Sequence, residues 1–345
     1  MRCPLGLVFD SAKHFVGRKL RGERKFPLTV TLDPLGGFSN GNGAAANGER
    51  VAGSRPMLNV AQCLAAMQEC NTPIVFISGG EPLEYPEIAP LVRSILRLGK
   101  HLFLCTGGTL IRRRLHMIPP YTNFFWNVRL QGTKRIHDER AGRSGLFEEV
   151  VDGIRAAKNA GFFVVVTSTI CPKTEVADLE ALYAQLHALH VDGYTIAPYY
   201  PAEKLCRNGS VEFHEKMQQR FHEASERLGV YNLMLSPVYL EYLRGERELD
   251  CSVWASPVYG PKGWSGPCYL QNASFAKSYK DLLEETIWEN YGRGLNPRCE
   301  NCQCPSGFET AAMIGMNAKA GDFWKKLAWQ FSGNLGEKRE GKRQA

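Results

Sequence analysis

Short apolar runs alternate with amphipathic segments from residue 26 to about residue 200. Five runs rich in β-branched or aromatic residues predict buried strands over residues 74–78, 101–106, 123–130, 162–170 and 193–198. An earlier run, "PLTVTLDPL", predicts a first strand before them. Between the strands, apolar residues recur at helical spacing, as over 59–70 and 86–99, and Asn59 is a plausible N-cap.

The strand–helix unit recurs about every 30 residues, which is typical of a parallel barrel or a doubly wound sheet. No GxGxxG follows the first strand, so a dinucleotide-binding fold is not favoured. After residue 230 the regularity fades, and Cys, Trp, Pro and Gly increase. We therefore expect four parts: a basic amphipathic segment (1–25), an α/β domain (26–230), a small cysteine-rich domain (231–319) and a basic tail (320–345).

Composition is ordinary for a globular protein, with 44% hydrophobic and 22% charged residues. No apolar run approaches the roughly 20 residues of a membrane span, and no signal peptide is evident, so we expect a cytoplasmic location. The net charge of +7 is uneven, since residues 13–25 carry six Lys or Arg and one Glu. That segment is compatible with peripheral membrane contact or with a helix packed on the domain. No nucleic-acid-binding motif appears.

The segment "SGGEPL" (78–83) follows a predicted strand directly. Two glycines allow a ligand to approach the main chain, and Glu81 offers a carboxylate to an ammonium group. Pro82 stiffens the turn. We predict a ligand-binding loop formed by Gly79, Gly80, Glu81 and Pro82; an ordinary turn with a surface glutamate is the alternative.

Five of the eleven cysteines lie between residues 251 and 304: Cys251, Cys268, Cys299, Cys302 and Cys304. The Cys299-x-x-Cys302 spacing suits thiolates that converge on one zinc ion or one iron–sulfur cluster. These five are therefore candidate ligands for a four-ligand metal site. By contrast, Cys63, Cys70, Cys105 and Cys171 lie in periodic apolar segments and are expected in the core.

A polar segment, residues 129–147, links one predicted strand to the next helix. His137, Asp138 and Arg140 could line a mouth at the strand ends, or the segment could be a solvated loop with a local ion pair. Tyr199, which follows the strand at 193–198, is a further candidate by location.

Several of these segments together resemble the radical S-adenosylmethionine (SAM) superfamily. The finer match is to adenosylhopene synthases of hopanoid biosynthesis, carried by "GGEPLEYPEI", "LCTGGTLI", "VDGYTIAPYY", "DCSVWASPVYGPKGWSGPCYL" and "CENCQC". The resemblance implies a partial (βα)6 TIM-like barrel, with SAM across the strand ends and its amino group near Gly79, Gly80 and Glu81. In that family a [4Fe–4S] cluster, held by CxxxCxxC after the first strand, cleaves SAM to a radical that adds to a C30 hopene.

The chain departs from that family in the loop after the first strand, "LGGFSNGNGAAANG". The family spacing places Ser39, Gly43 and Ala46 at the three cysteine positions; a one-residue shift gives Phe38, Asn42 and Ala45. Neither register supplies a thiolate, and no cysteine lies between Cys3 and Cys63. We therefore expect no N-terminal [4Fe–4S] cluster and no reductive cleavage of SAM.

Three hypotheses about function follow. The chain is a diverged SAM-dependent transferase or lyase, with His137, Asp138, Glu81 and Tyr199 as candidate groups. Alternatively, it is a non-catalytic hopanoid-pathway relative that binds a ligand or a partner. In the third hypothesis, the chain is an iron–sulfur protein that uses only a cluster held by its carboxyl-terminal cysteines. The expected substrate is a small molecule or a squalene-derived lipid.

Overall fold

The computed structural model of the chain describes residues 2–37, 56–199, 211–300 and 302–332. Nine strands form one sheet: β1 (Thr29–Leu32), β2 (Ile74–Ile77), β3 (His101–Thr106), β4 (Phe124–Arg129), β5 (Phe163–Ile170), β6 (Gly193–Pro198), β7 (Val258–Gly260), β8 (Gly263–Gly266) and β9 (Ser274–Ala276). The helices are α1 (Leu5–Leu20), α2 (Val60–Cys70), α3 (Ile88–Arg97), α4 (Ile111–Arg114), α5 (Lys134–Ala141), α6 (Leu146–Asn159), α7 (Val176–His187), α8 (Val211–Leu228), α9 (Pro237–Leu243), α10 (Tyr279–Glu285), α11 (Pro305–Ile314) and α12 (Asp322–Phe331).

The strands follow the order β6-β5-β4-β3-β2-β1-β7-β8-β9. Strands β1 to β6 are parallel, as is the β1–β7 pair, whereas β7, β8 and β9 pair antiparallel. The predicted partial (βα)6 barrel with a carboxyl-terminal domain is confirmed at the level of fold class. Because all six strands of the barrel run the same way, their carboxyl ends share one edge, where ligands bind in such folds.

Local sequence signals explain several element boundaries. Asn59 accepts a hydrogen bond from the backbone N–H of Gln62, whose side chain accepts one from the N–H of Asn59, each at 2.9 Å. This reciprocal capping box starts α2 where the sequence predicts a helix. Along α3, one face holds the buried residues Ile88, Ala89, Leu91, Val92, Ile95 and Leu96. The apolar face that the 3.6-residue periodicity predicts is therefore the face of α3 that packs on the sheet.

The barrel strands bury two different surfaces. Side chains such as Val75, Leu104 and Val166 point to the surrounding helices and join the main core. The opposite face holds a smaller cluster of Leu7, Phe103, Phe125 and Val165, with Phe76 and Phe163 against it. Leu7 belongs to α1, and His101 at the start of β3 contacts Asp10 of α1. Helix α1 therefore covers the amino ends of the strands and leaves the carboxyl ends as the barrel's mouth.

Within the described residues, no helix is long and apolar enough to cross a membrane.

Candidate functional site

The mouth is organised by a close contact between the loops after β1 and β2. Asp33 is 2% exposed, and its Oδ1 accepts a hydrogen bond of 2.9 Å from the N–H of Gly37. Gly79 has φ +111°, and a Cβ there would lie 1.9 Å from the same oxygen. A Cβ on Gly37 would lie 2.1 Å from the backbone nitrogen of Gly80. Only glycine at positions 37 and 79 permits this junction, so the two loops bring main chain, not side chains, to this part of the mouth.

Glu81 connects the β2 loop to the end of β3. Its Oε1 accepts hydrogen bonds from Leu83 N–H at 3.0 Å and from Thr106 Oγ1 at 2.8 Å, and its Oε2 accepts one from Gly107 N–H at 2.9 Å. Burial raises the pKa of the Glu81 carboxyl, and these three donors partly oppose that rise. The carboxylate is thus held in one orientation at the strand ends, where it can face a ligand's ammonium group.

A cation lies on the neighbouring strand end. Burial lowers the pKa of the Arg129 guanidinium, at the end of β4, while the charge of Glu81 and the Cys105 thiol raise it. The Glu81 carboxylate and the Arg129 guanidinium therefore interact electrostatically across β2 to β4. Such a pair offers complementary positions to a zwitterionic ligand, which carries both an ammonium group and a carboxylate.

A belt of polar side chains crosses the barrel interior just inside the mouth. Asn127 Nδ2 donates to Cys105 Sγ at 3.5 Å, and Thr167 Oγ1 donates to Asn127 Oδ1 at 2.6 Å. Thr167 and Thr195 are linked at 2.6 Å. The belt spans β3 to β6 and lies above the phenylalanine cluster at the amino end. A ligand that enters the mouth therefore contacts hydroxyl, amide and thiol groups first.

The predicted catalytic residues lie near the strand ends, but they are engaged in the structure. His137 is buried; its Nδ1 accepts a 3.3 Å hydrogen bond from Gln131 N–H, and its ring packs edge-on against Phe147. Burial lowers the pKa of His137, so the imidazole is neutral at pH 7. Asp138 accepts hydrogen bonds of 2.8 Å from Gly145 N–H and Phe147 N–H, and therefore holds the start of α6.

Tyr199 is 49% exposed and follows β6. In the described part of the chain, no hydrogen bond joins Tyr199 to His137 or Asp138. Their catalytic roles stay predictions. The expectation of a solvated loop here is wrong, since residues 134–141 form α5; Thr133, which precedes α5, is anchored by Oγ1 and N–H donation to Asp178 at 2.5 and 3.0 Å.

The carboxyl-terminal cysteines are drawn together only in part. The Cys251 thiol interacts electrostatically with Cys268, Cys304 and Cys299, and burial raises the pKa of Cys268 to about 12. Cys304 Sγ lies 3.2 Å from Tyr269 OH, and Gln271 Nε2 donates to Cys299 Sγ at 3.0 Å. Across the ranges that the structure describes, no three His, Cys, Asp or Glu side chains are arranged to hold a metal ion. The ligand role predicted for Cys251, Cys268, Cys299, Cys302 and Cys304 stays a prediction.

The other cysteines differ in position. Cys63 and Cys70 of α2 are fully buried in the main core, as predicted. Cys105 lies instead in the polar belt, and Cys171 is half-buried, with Thr174 Oγ1 3.3 Å from its sulfur. The positions Ser39, Gly43 and Ala46, and the alternative register Phe38, Asn42 and Ala45, lie outside the described residues.

Sequence reasoning missed three residues of the mouth: Asp33, Thr106 and Arg129. A signal existed for each, since all three lie at the carboxyl end of a predicted parallel strand. The pattern does not tell which of these side chains point inward, so the partners of Glu81 could not be assigned.

Two family models match different parts of the chain. Residues 44–186 match the radical SAM superfamily, and residues 194–326 match a domain of unknown function, DUF3463. Among curated proteins, the AdoMet-dependent heme synthase of Methanosarcina barkeri is 22% identical over 249 residues, covering 63% of this chain and 68% of that protein. The subtilosin biosynthesis protein AlbA of Bacillus subtilis is 24% identical over 251 residues, covering 67% of this chain and 54% of that protein.

Solved structures show the same fold at low identity. Streptococcus suis SuiB bound to its precursor peptide SuiA has a TM-score of 0.60 and 14% identity, covering 80% of this chain and 69% of that chain. The anSMEcpe structure with bound AdoMet has a TM-score of 0.53 and 12% identity, covering 88% and 97%. Residues 44–186, less than half of the chain, therefore resemble the radical SAM superfamily, and the curated relatives are similar to the chain at 22% and 24% identity.

Proposed function

We propose that this radical SAM superfamily chain binds SAM at its barrel mouth and uses it in non-radical transfer or elimination. Two observations taken together support the proposal. The loop junction and Glu81 network suited to SAM are present, whereas no cysteine lies between Cys3 and Cys63. A [4Fe–4S] cluster needs thiolates, and the loop after β1 offers none, so the donor set does not fit an N-terminal cluster.

The residues of the mouth fit SAM. Glu81 would face its ammonium group, and Arg129 lies near enough to interact with a negative charge beside it. At Gly79 the absence of a Cβ allows the loop after β2 to pack against Asp33, which brings the Gly79–Gly80 main chain to the mouth. When bound, SAM supplies an electrophilic sulfonium, which reacts with a nucleophile that is well positioned.

The chain's own groups favour positioning over strong base catalysis. Asn127, Thr167 and Thr195 provide donors and acceptors for a polar group of the substrate, and the phenylalanines below them exclude water. His137 and Tyr199 are the candidate groups by location: the His137 Nδ1 accepts from Gln131 N–H, so its Nε2–H would serve as a hydrogen-bond donor, and Tyr199 lies at the rim. Asp138 is committed to backbone N–H groups, so its role is to orient α5 and α6.

A second candidate is a non-catalytic relative that binds a ligand or a partner protein in a hopanoid pathway. It is favoured by the engagement of both His137 and Asp138 in structural hydrogen bonds. A hopanoid role rests on the quoted sequence segments, and it would make the substrate a lipid. The third candidate, an iron–sulfur protein, rests on the Cys299-x-x-Cys302 spacing and on the electrostatic interaction of the Cys251 thiol with Cys268, Cys304 and Cys299.

The test is calorimetric titration of the purified protein with SAM, in the wild type and two glutamate variants. Glu81→Gln removes the charge that faces the ammonium group and should weaken binding by about tenfold or more. Glu84→Gln, on an exposed glutamate three residues further on, is the matched control and should bind normally. Absence of SAM binding in the wild type would contradict the proposal.

Product analysis separates the candidates. Transfer or elimination yields S-adenosylhomocysteine or methylthioadenosine, whereas reductive cleavage yields 5′-deoxyadenosine. Formation of 5′-deoxyadenosine by protein reconstituted anaerobically with iron and sulfide would overturn the proposal. SAM binding with no product across candidate lipids would favour the binding subunit. Iron and sulfide bound by the wild type but lost in the Cys299→Ser and Cys302→Ser variants would favour the third candidate.

A further inference from the structure

Two helices at the amino end of the barrel present their apolar faces to solvent. On α1, the exposed side chains Leu5, Phe9, Val16 and Leu20 are 58%, 68%, 52% and 83% accessible. With Ala12, they recur at intervals of three or four residues and so form one stripe along the helix. An ordinary surface helix buries such a stripe against its domain, whereas α1 is rotated about its axis so that the stripe faces solvent.

The polar face of α1 contacts the protein instead. Asp10 bonds to His101 at 2.9 Å, His14 Nε2 lies 2.8 Å from the carbonyl oxygen of Pro27, and Arg18 Nη2 donates to the Cys70 carbonyl at 3.0 Å. Leu7 is the buried apolar residue of the helix. These contacts fix the rotation of α1, so its apolar stripe is held outward.

Helix α12 is rotated in the same way. Its exposed side chains are Phe323, Trp324, Leu327 and Phe331. Asp322, on the other face, is buried and bonds to both terminal nitrogens of Arg247 at 2.9 and 2.6 Å. Gln330 is also buried.

Hydrogen bonds join the two helices where α1 begins and α12 ends. Gln330 donates from Nε2 to the Cys3 carbonyl at 2.7 Å and accepts from Cys3 N–H at 3.3 Å. Arg2 N–H donates to the Gln330 carbonyl at 3.0 Å, and Arg2 Nε donates to Ser332 Oγ at 3.2 Å. The stripes of α1 and α12 are therefore brought close where the helices meet, and we call the two stripes together the amino-end face.

Cations border the amino-end face. Lys13 and Lys19 are exposed on either side of the α1 stripe, and Arg21 follows it. Asp10 is the sole acidic residue of Leu5–Leu20, and it is bonded to His101. A helix that lies in the headgroup region of an anionic bilayer typically has apolar side chains, Trp and Phe among them, bordered by basic residues.

We propose that the amino-end face docks on an anionic lipid bilayer, with α1 and α12 lying in the interface. A second copy of the chain is a poorer occupant, because it would place the lysines of one face against those of the other. The tail at 333–345 is also a poorer occupant, since Leu335 is its one large apolar residue. Docking would turn the barrel's mouth away from the bilayer, because α1 covers the opposite ends of the strands.

The test is sedimentation of the full-length protein with phosphatidylcholine vesicles that contain or lack phosphatidylglycerol. We expect binding to the anionic vesicles and little binding to the neutral ones. Raising NaCl from about 0.1 M to about 1 M should weaken it, because the basic border is screened. The double variant Phe9→Ser/Trp324→Ser should bind at least about tenfold more weakly.

A matched control is Ile287→Ser/Leu295→Ser, on residues that are 63% and 62% exposed but lie outside the amino-end face. It should bind like the wild type, and thermal melts should show that both double variants are folded. The proposal would be overturned if both double variants lost vesicle binding equally or if the wild type did not bind anionic vesicles. It would also be overturned if the wild type formed dimers that the Phe9→Ser/Trp324→Ser variant abolishes. None of these readouts involves SAM, so the result is independent of the function proposed above.

Discussion

The two ends of the barrel differ in chemistry, although the same strands build both. At the amino end, Phe76, Phe103 and Phe125 stack with ring centroids 5.0 and 4.5 Å apart. Two residues further along β4, Phe125 gives way to Asn127 and then to Arg129, all on the interior face. The same change along β5 leads from Val165 to Thr167. Alternate positions of a strand share a face, so each strand carries a packed lower half and a polar upper half.

This division teaches that stability and ligand binding depend on different residues of the same elements. The amino end is filled by rings and closed by α1. The carboxyl end is held by hydrogen bonds to Glu81 and by contacts that only glycine allows. A substitution at the amino end should therefore change stability and leave SAM affinity intact, whereas one at the carboxyl end should change SAM affinity, and four variants probe stability and SAM binding.

The largest effect is expected from Phe125→Ala at the amino end. Removal of a fully buried ring should lower the free energy of unfolding by about 3–5 kcal/mol, measured by urea denaturation. SAM affinity of the folded fraction should change little, because the ring lies below the polar belt. Phe9→Ala, on the exposed stripe, should stay within about 0.5 kcal/mol. Loss of SAM binding in folded Phe125→Ala protein would show that the ends are coupled.

Asp322→Asn should cost about 3 kcal/mol, because Arg247 is 4% exposed and would keep as its carboxylate partner only Glu241, at the longer distance of 3.4 Å. Arg247 holds the pKa of Asp322 at about 2, below its ordinary value of 3.8. The stabilisation is therefore complete above about pH 4 and is lost as the pH falls towards 2. Denaturation at neutral and acid pH checks this, with Glu284→Gln on an exposed carboxylate as the control. If Asp322→Asn left the free energy of unfolding unchanged at pH 7, the Asp322–Arg247 pair would not anchor α12.

Gly79→Ala should cost about 2 kcal/mol and also abolish SAM binding, since it combines a positive φ with a collision at Asp33. Gly22→Ala isolates the effect of the positive φ: Gly22 has φ +74°, and a Cβ added there would meet nothing within 4 Å. It should cost about 1 kcal/mol and leave binding intact. Thermal melts and SAM titration measure both. Equal behaviour of the two variants would refute the close-contact interpretation of the mouth.

A pH dependence is expected where Glu309 of α11 meets Ser236, the N-cap of α9. Burial raises the pKa of Glu309 from 4.5 to about 7, although Ser236 N–H and Oγ donate to it. Because the folded state then holds a proton that the unfolded state releases, stability should fall by about 2 kcal/mol as the pH rises from about 5 to 8. Glu309→Gln should remove that fall relative to wild type in urea titrations across this range. A parallel pH profile in the variant would assign the dependence elsewhere.

Much of the fold could be predicted from the sequence because its signals are local. Alternation and helical spacing placed β2 to β6, and the Asn59 capping box lies within four residues. The residues of "GGEP" also follow their strand directly, so their position at the mouth could be predicted from the order of residues alone.

The partners of those residues could not be predicted in the same way. Thr106 and Gly107 reach Glu81 from about 25 residues away, and they do so because adjacent parallel strands end side by side. His137 and Asp138 look like an acid–base pair along the chain, yet the packing of α5 on α6 commits them to Gln131, Gly145 and Phe147.

The sequence by itself determined which elements form, where the "GGEP" loop lies and which loop has no cysteines. Tertiary structure decided which face of each element is covered. The helix α1 illustrates the reason: periodicity shows that a helix has an apolar stripe, but burial depends on what packs there. Contacts with Asp10, His14 and Arg18 turned that stripe towards solvent. Local spacing determines periodicity, whereas long-range packing determines the side that is buried.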